Sequence, residues 1–190
     1  METCRTLAAR LRRAIAMAFA AAALAACTGG DRDPPAGQPS IYESLARAGA
    51  EVDASAAQSM ISGYRLNNGL TPVTVDPTLT RLAYEQARVM AARNKLDHSA
   101  GRAFHERMRT SGLDSTVTAE NIGAGYHTLA EAFSGWRDSP PHRANMLLNG
   151  ATRMGIAAVY APGSKYKVFW VLILALTPPR DVFLRTGPGT

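Results

Sequence analysis

Apolar residues recur at helical spacing in two segments of the first half of the chain. The first segment, 53–69, opens with a capping aspartate and ends in the helix-stop sequence Asn67-Asn68-Gly69. The second, 76–94, opens with an aspartate followed by proline at the first helical position. The pattern therefore predicts two helices, joined by a short extended link over residues 73–75.

The second half of the chain alternates helical and extended patterns. It predicts, in chain order, a short helix at 102–111, a strand at 115–122, helices at 129–136 and 142–148, and strands at 154–160 and 166–176. The last strand contains nine consecutive apolar residues, Val168 to Leu176. This run is half a membrane span at most, so it is typical of a strand buried on both faces at the centre of a sheet.

The order of the predicted elements indicates the fold class. Helices precede the sheet, a pair of helices interrupts it and a hairpin ends it, with no repeated βαβ unit. We therefore expect an α/β fold, specifically an α-β-α sandwich in which a mainly antiparallel central sheet is flanked by helices.

The N-terminal segment has the features of an export signal. Four arginines precede an apolar run of about a dozen residues, 14–26, which suits a signal-peptide core and is short for a membrane span. The run ends in Leu24-Ala25-Ala26-Cys27. This sequence resembles the lipobox of bacterial lipoproteins, which implies that Cys27 is diacylated and becomes the new N-terminus. The alternative is an ordinary secretory leader cut after an Ala-x-Ala site.

These features divide the chain into four parts. We expect a lipoprotein signal peptide at 1–26, a lipidated N-terminus and flexible tether at 27–50, a folded domain at 51–177 and a C-terminal tail at 178–190. Cys4 leaves with the leader and Cys27 is acylated, so the folded domain is expected to contain no disulfide. Its stability must then come from the hydrophobic core.

Charge argues against a nucleic-acid partner. The full chain has a net charge of +6, of which the first 26 residues contribute +3, and the remaining basic residues are scattered singly. No basic stripe with interleaved aromatic residues is present. We expect a monomer held at the membrane by its lipid, in the cell envelope. If the cell has two membranes, Thr28 after the lipidated cysteine favours the outer membrane or periplasm.

The candidate chemistry lies in three short stretches. They are His98-Ser99, Glu120-Asn121-Ile122 and Trp136-x-x-Ser139-x-x-His142-x-x-Asn145. A lone histidine more often satisfies a hydrogen bond than performs chemistry, so the argument depends on the set of two histidines and a carboxylate. Each member lies just beyond or between predicted regular elements, and we expect the three to form one polar cluster.

These stretches, in this order, resemble a protein family. From residue 52 to residue 176 the chain is similar to the bacterial type of CAP domain, named for the cysteine-rich secretory, antigen 5 and pathogenesis-related protein 1 superfamily. The other matching residues are Tyr64-Arg65, Gly69-Leu70, Val75-Asp76, Leu79, Ala83 and Met154-Gly155-Ile156. Each motif is weak alone, but four in order across the domain make a specific signal. The resemblance implies an α-β-α sandwich, in agreement with the periodicity.

The resemblance also implies a groove. Its expected lining is His98, Glu120, His142, Ser139, Asn121 and Asn145. In the larger eukaryotic members the groove holds a second glutamate, three residues after the matched tryptophan, where this chain has Ser139. The disulfides and the cysteine-rich extension of those members are also missing. Lipid or sterol export, attributed to some of them, therefore transfers poorly to this chain.

The two histidines and Glu120 are a candidate metal site. Two neutral imidazoles and a carboxylate are a sufficient donor set for Zn²⁺, with a fourth position left for water. Successive members are 22 residues apart, unlike the local spacing of a zinc finger, so the support from spacing is weak. The alternative is a polar network in which Glu120 accepts hydrogen bonds and holds loops together.

Ser139 and His142 offer a different chemistry. A serine three residues before a histidine suggests a nucleophile and its base, with Glu120 or Asp138 orienting the ring. The chain has no Gly-x-Ser-x-Gly elbow. The simpler interpretation is that Ser139 caps the short helix that follows it.

The predicted function is that of a lipid-anchored cell-envelope CAP domain, which the residues favour as a binding or interaction module over an enzyme. Its groove would hold a small ligand, a metal ion or the peptide of a protein partner. The competing class is a metal-assisted or serine hydrolase acting on envelope material with the same residues. A third alternative is a purely structural envelope protein.

Overall fold

The computed structural model describes residues 37–115 and 117–176. The leader predicted at 1–26, the lipidation of Cys27 and the tail predicted at 178–190 lie outside these residues. Among the helices of the described ranges, none has the length and apolar character needed to cross a membrane.

A sheet forms the middle layer of the described chain. Its strands are β1 (Thr74–Val75), β2 (Val117–Ala124), β3 (Arg153–Tyr160) and β4 (Val168–Leu176), in the spatial order β1-β3-β4-β2. β1 pairs with β3 in parallel, and the other pairings are antiparallel. β4 lies between β3 and β2, and residues Val168 to Ala175 are all buried. The apolar run therefore marks the central strand, as the sequence predicts.

Helices cover both faces of this sheet. They are, in chain order, α1 (Ala54–Asn67), α2 (Pro77–Arg93), α3 (Phe104–Arg109), α4 (Leu129–Asp138) and α5 (Pro140–Met146). Trp170 and Leu172 of β4 face α1, α4 and α5, whereas Phe169 and Ile173 face α2 and α3. Because side chains alternate along a strand, β4 contributes to both cores. The α-β-α sandwich with a mainly antiparallel sheet is confirmed.

The N-terminus of α2 is fixed against β3. The carboxylate of Asp76 accepts hydrogen bonds from the backbone N–H groups of Thr78 and Leu79, and Arg153 of β3 donates to it at 2.7 Å. Gly155 of β3 allows the close approach, because a Cβ there would lie less than 3.0 Å from the backbone of Leu79. Helix α2 therefore packs directly on the strand backbone.

The packed chain begins before the predicted domain boundary at residue 51. Residues 40–42 form a short 3₁₀ helix, and the side chain of Leu45 is buried in the core. The backbone N–H of Leu45 donates to the carbonyl oxygen of His127 at 2.7 Å. The last part of the segment assigned to the tether is thus held against α4.

Strand β2 is displaced by two residues from the predicted range of 115–122. It continues through Gly123, where a side chain would press against the ring of Tyr126 and the indole of Trp136. The chain turns at Gly125, which has a φ of 91°. Glycine permits both features, since it has no Cβ and readily adopts positive φ.

Helix α5 begins two residues earlier than the predicted start at residue 142. Pro140 occupies its first position, where the fixed φ of proline suits a helix and its missing N–H has no partner to lose. The two prolines therefore begin this helix, whereas the sequence pattern assigned them to the gap before it.

Candidate functional site

Two adjacent residues of the edge strand β2 connect the two helical layers. Glu120 pairs with Ile173 of β4 and faces α2 and α3, whereas Asn121 pairs with Leu172 and faces α4 and α5. Both side chains are buried. The predicted site residues therefore gather around one short segment of β2, on both sides of the sheet edge.

Glu120 is hydrogen-bonded to Arg107 of α3 and to His98. Arg107 Nη2 lies 2.8 Å from Glu120 Oε2 and 3.0 Å from Oε1, and His98 Nδ1 lies 2.8 Å from Oε1. The Glu120 and Arg107 side chains are 1% and 4% exposed, while that of His98 is 52% exposed. An ionised carboxylate only accepts, so His98 donates from Nδ1 and its Nε2 remains for other partners.

The loop that carries His98 is held from two sides. Gln86 of α2 donates from Nε2 to the carbonyl oxygen of Asp97 at 2.7 Å. Arg107 donates to the carbonyl oxygens of His98, at 3.1 Å, and Arg102, at 3.2 Å. The position of the His98 ring is therefore set by buried groups of α2, α3 and β2.

On the other side of the sheet edge, amide side chains join β2 to α5. Asn121 donates from Nδ2 to the carbonyl oxygen of His142 at 2.9 Å. Asn145 donates to the carbonyl oxygen of Glu120 at 3.1 Å and to Asn121 Oδ1 at 2.9 Å. These bonds occupy groups at the outer edge of β2 and fix α5 along it.

Ser139 and His142 form a hydrogen-bonded pair, with Oγ 2.8 Å from Nδ1. Ser139 is the N-cap residue of α5, as the sequence suggests, but its side chain makes no capping hydrogen bond. Within the described residues, no carboxylate bonds to the His142 ring, because Asp138 pairs with Arg137 and Glu120 with Arg107. The pair thus lacks the orienting acid of a triad.

The far end of α5 is held by Arg65 of α1, whose side chain is fully buried. It donates to the carbonyl oxygens of Met146 and Leu148, each at 2.9 Å, and to that of Ala151 at 3.1 Å. A fourth bond goes to the carbonyl oxygen of Thr71 at 2.9 Å. A cation at the C-terminus of a helix also interacts favourably with its dipole. Arg65 therefore helps to fix the helix that carries His142.

The surroundings of His142 favour the neutral form of its ring. Burial lowers the pKa of its imidazole below the ordinary value of 6.5, and the charge of the nearby His98 lowers it further. His98 bonds to Glu120 and the carbonyl oxygen of His142 accepts from the adjacent Asn121, so both residues lie beside the same segment of β2. A neutral ring can accept a proton or donate a lone pair to a metal ion.

The candidate donor set consists of one remaining nitrogen on each histidine ring and a carboxylate that is already hydrogen-bonded. Each histidine uses Nδ1 within the protein, which leaves two Nε2 atoms, while both oxygens of Glu120 bond to Arg107. Among the described residues, no group of three or more His, Cys, Asp or Glu side chains is arranged to hold a metal ion. Zinc bound by all three residues stays a prediction.

Sequence reasoning gave the two buried arginines no role at the site. Arg65 follows Ala57 and Ile61 at intervals of four on the buried face of α1, a spacing that places it inside the domain. Arg107 precedes the buried Met108 in a helix too short to show a clear period. The spacing could have revealed Arg65, but nothing local marks Arg107 as the partner of Glu120.

A comparison with known protein families identifies the family to which this chain belongs. The family described as CAP, the cysteine-rich secretory protein family, matches residues 58–174. The chain belongs to this family. The match runs from within α1 through most of β4, so the CAP domain includes every residue of the site, and the resemblance inferred from the motifs is confirmed.

A curated relative covers part of the CAP domain. The chain is 32% identical to the Bacillus subtilis protein YkwD over 98 residues, which are 50% of this chain and 38% of YkwD. The chain therefore spans well under half of the length of that relative.

Solved structures share the fold of this CAP domain. An outer surface protein from Borrelia burgdorferi has a TM-score of 0.59 at 18% identity, covering 68% of this chain and 98% of that one. An extracellular SCP-domain protein from Bacillus anthracis has a TM-score of 0.56 at 19% identity, covering 64% of this chain and 39% of that one. A cysteine-rich secretory protein from Staphylococcus aureus has a TM-score of 0.54 at 16% identity, covering 65% of this chain and 38% of that one. At these identities the likeness concerns the fold.

Proposed function

We propose that this protein is an exported, lipid-anchored protein of the cell envelope whose CAP domain is a binding module. Its groove binds a ligand through the Nε2 atoms of His98 and His142. The observation that carries the proposal is that each ring is already bonded through Nδ1, to Glu120 and to Ser139, so both rings offer the opposite nitrogen. Both rings are at least partly open to solvent.

A divalent metal ion such as Zn²⁺ is the simplest ligand of this groove. Histidines that bind metals usually donate their other ring nitrogen to a carboxylate, a carbonyl or a water molecule, which fixes the tautomer. Glu120 has that relation to His98, and Ser139 Oγ is an acceptor of the same kind for His142. Two imidazoles leave positions for water or for donors of a small ligand or partner peptide.

Calorimetry with Zn²⁺ tests the proposal on the purified protein and on His98→Ala and His142→Ala. We expect each variant to lose most of the zinc affinity, because each removes one of two protein donors. His105→Ala is the matched control, since His105 is an exposed histidine of α3 outside the hydrogen-bonded cluster. Zinc affinity that is the same in all four proteins would rule out the metal site.

A serine hydrolase acting on envelope material is the second candidate, favoured by the 2.8 Å contact between Ser139 Oγ and His142 Nδ1. The two functions need opposite directions of this hydrogen bond. A nucleophilic serine donates its proton to Nδ1, whereas a ring that binds metal through Nε2 donates from Nδ1 to Oγ. The ¹⁵N shifts of His142 distinguish the two tautomers.

Turnover of ester and peptide substrates gives the second test of the hydrolase. Activity that is abolished by Ser139→Ala and by His142→Ala would replace the binding module by the hydrolase. If neither zinc binding nor turnover is found and the alanine variants only unfold more easily, the domain is a structural part of the envelope.

Export and lipid anchoring rest on the sequence. The support is the apolar leader followed by Leu24-Ala25-Ala26-Cys27, together with the descriptions of the similar structures as extracellular, outer-surface or secretory proteins. We expect the wild-type protein in the membrane fraction with a diacylglycerol-sized mass increase at Cys27. The Cys27→Ser variant should lose both the membrane association and the mass increase. Soluble wild-type protein of unmodified mass would contradict the anchor.

A further inference from the structure

Arg107 is a buried cation that contacts three separate parts of the groove. Its guanidinium donates to Glu120 of β2 and to the backbone of the loop at both His98 and Arg102. One of its nitrogens, Nη1, is buried without a hydrogen-bond partner. A long charged side chain is therefore desolvated at this place and only partly satisfied, which is a poor arrangement for stability alone.

The geometry separates Glu120 from any ligand in the groove. Oε2 accepts from Arg107 at 2.8 Å, and Oε1 accepts from both Arg107 and His98. The Glu120 side chain is 1% exposed, whereas that of His98 is 52% exposed. Glu120 thus lies behind the His98 ring, and the ring is the part of this pair that meets solvent.

We propose that Arg107 is the positioning residue of this groove. It holds Glu120 behind His98 as the acceptor for Nδ1–H, and so keeps Glu120 from becoming a ligand and keeps Nε2 of His98 facing outward. The statement about ligands rests on the proposed function, but the statement about the ring of His98 applies to the protein without metal. Free neutral histidine has no such acceptor to select Nδ1–H.

A purely structural role for Arg107 predicts something different. In that case, any substitution that loosens the loop carrying His98 would disturb the groove as much as the loss of Arg107 does. Gln86 provides the comparison, because it is 1% exposed, donates to the neighbouring carbonyl of Asp97, and has no hydrogen bond to Glu120. Gln86→Leu should weaken the hold on the loop while leaving the bond between Glu120 and His98 in place.

The first experiment measures the tautomer of His98 by ¹⁵N NMR in the metal-free protein. We expect Nδ1–H to dominate in the wild type and in Gln86→Leu. The Nδ1–H tautomer should no longer dominate in Glu120→Ala, which lacks the acceptor. The same is expected in Arg107→Lys, since lysine keeps the charge but not the planar set of donors. The double variant Arg107→Met with Glu120→Gln contains no buried charge at this place, and its comparison with Glu120→Gln alone tests the role of Arg107 if Arg107→Lys folds poorly.

The second experiment measures zinc affinity in the same variants. Loss of a group that orients a metal-binding histidine costs roughly 10- to 100-fold in affinity, so we expect that loss in Arg107→Lys and a change of less than about threefold in Gln86→Leu. An unchanged tautomer and affinity in both Arg107 variants would overturn the positioning role. So would an equal loss in Gln86→Leu. A wild type that shows the Nδ1–H tautomer but binds no zinc would support the positioning and overturn the zinc site.

Discussion

Arg65 Nη1 lies 2.9 Å from the carbonyl oxygen of Met146, the last residue of α5. This bond joins α1 to the helix that carries His142, across 81 residues of sequence. Among the described residues no carboxylate takes part, and the guanidinium donates to four backbone carbonyl oxygens. The position of His142 therefore depends on a cation at the C-terminal end of α5.

Arg65→Met should lower the free energy of unfolding by about 2–4 kcal/mol, because buried carbonyl oxygens lose their charged donor. Urea denaturation measures the change. Arg47→Met is the control, since Arg47 is exposed and pairs with Glu43 only at 3.6 Å, and it should cost less than about 0.5 kcal/mol. Equal effects of the two substitutions would contradict the role of Arg65.

Gly155→Ala should destabilise the fold by at least about 2 kcal/mol, because the added methyl group meets the backbone of α2 and rigid backbone cannot move aside as a side chain can. Thermal and urea unfolding measure the loss. Gly63→Ala is expected to have the opposite effect on stability. Gly63 lies within α1 with open space around it, so alanine should stabilise the protein by about 0.5–1 kcal/mol. A loss in both variants would contradict this interpretation.

Asp76 should make stability depend on pH in the acid range. Burial raises the pKa of its carboxyl, but the hydrogen bonds from Arg153, Leu79 and Thr78 and the charge of Arg153 outweigh burial, so the pKa lies below 3.8. The stabilisation is therefore complete above pH 3.8 and is lost as pH falls through the lower pKa of the folded state. Asp76→Asn should cost about 1–2 kcal/mol at pH 7, since asparagine still caps the helix but does not pair with Arg153.

Urea denaturation of wild type and Asp76→Asn between pH 7 and pH 2.5 checks the direction of this pH dependence. The difference between the two proteins should shrink below pH 3.8, because protonated Asp76 no longer offers a charge to Arg153. A difference that stays constant over the whole range would show that the charge of Asp76 contributes nothing.

His142 should titrate below the ordinary histidine value, because burial and the charge of His98 both lower its pKa. The unfolded chain takes up this proton near pH 6.5 and the folded chain only at lower pH. Stability due to His142 is thus complete above pH 6.5 and declines as pH falls toward the folded-state pKa. NMR titration of the ring measures the midpoint, and His98→Gln should move it upward by removing a nearby charge. A midpoint that moves downward would contradict the electrostatic coupling.

Local patterns were enough to predict helices α1 to α5 and the strands, with shifts of two residues in β2 and at the start of α5. The helix expected at 76–94 is observed at Pro77–Arg93, and the apolar run of nine residues is the central strand β4. Both depend on periodicity and on caps, which are properties of neighbouring residues. The motifs also led to one contact of the candidate site, because His98 Nδ1 and Glu120 Oε1 lie 2.8 Å apart.

Long-range pairing could not be predicted in the same way. Thr74 of β1 pairs with Arg153 of β3, and Glu120 is paired with Arg107, yet neither contact leaves a periodic trace in the sequence. The side chain of Ser139 illustrates the same limit. The sequence offered both a helix cap and a pair with His142 for this side chain, but the choice of His142 depends on where the ring lies in three dimensions.

The opposite directions of Glu120 and Asn121 have a consequence for how this strand tolerates change. A shift of β2 by one residue against β4 exchanges the faces of all its side chains. The carboxylate would then meet α5, and the amide would meet Arg107. A single inserted or deleted residue in β2 should therefore disconnect both helical layers at once, whereas insertions in the turn at 161–167 leave both anchors in register. Natural length variation is accordingly expected in that turn and absent from the strand.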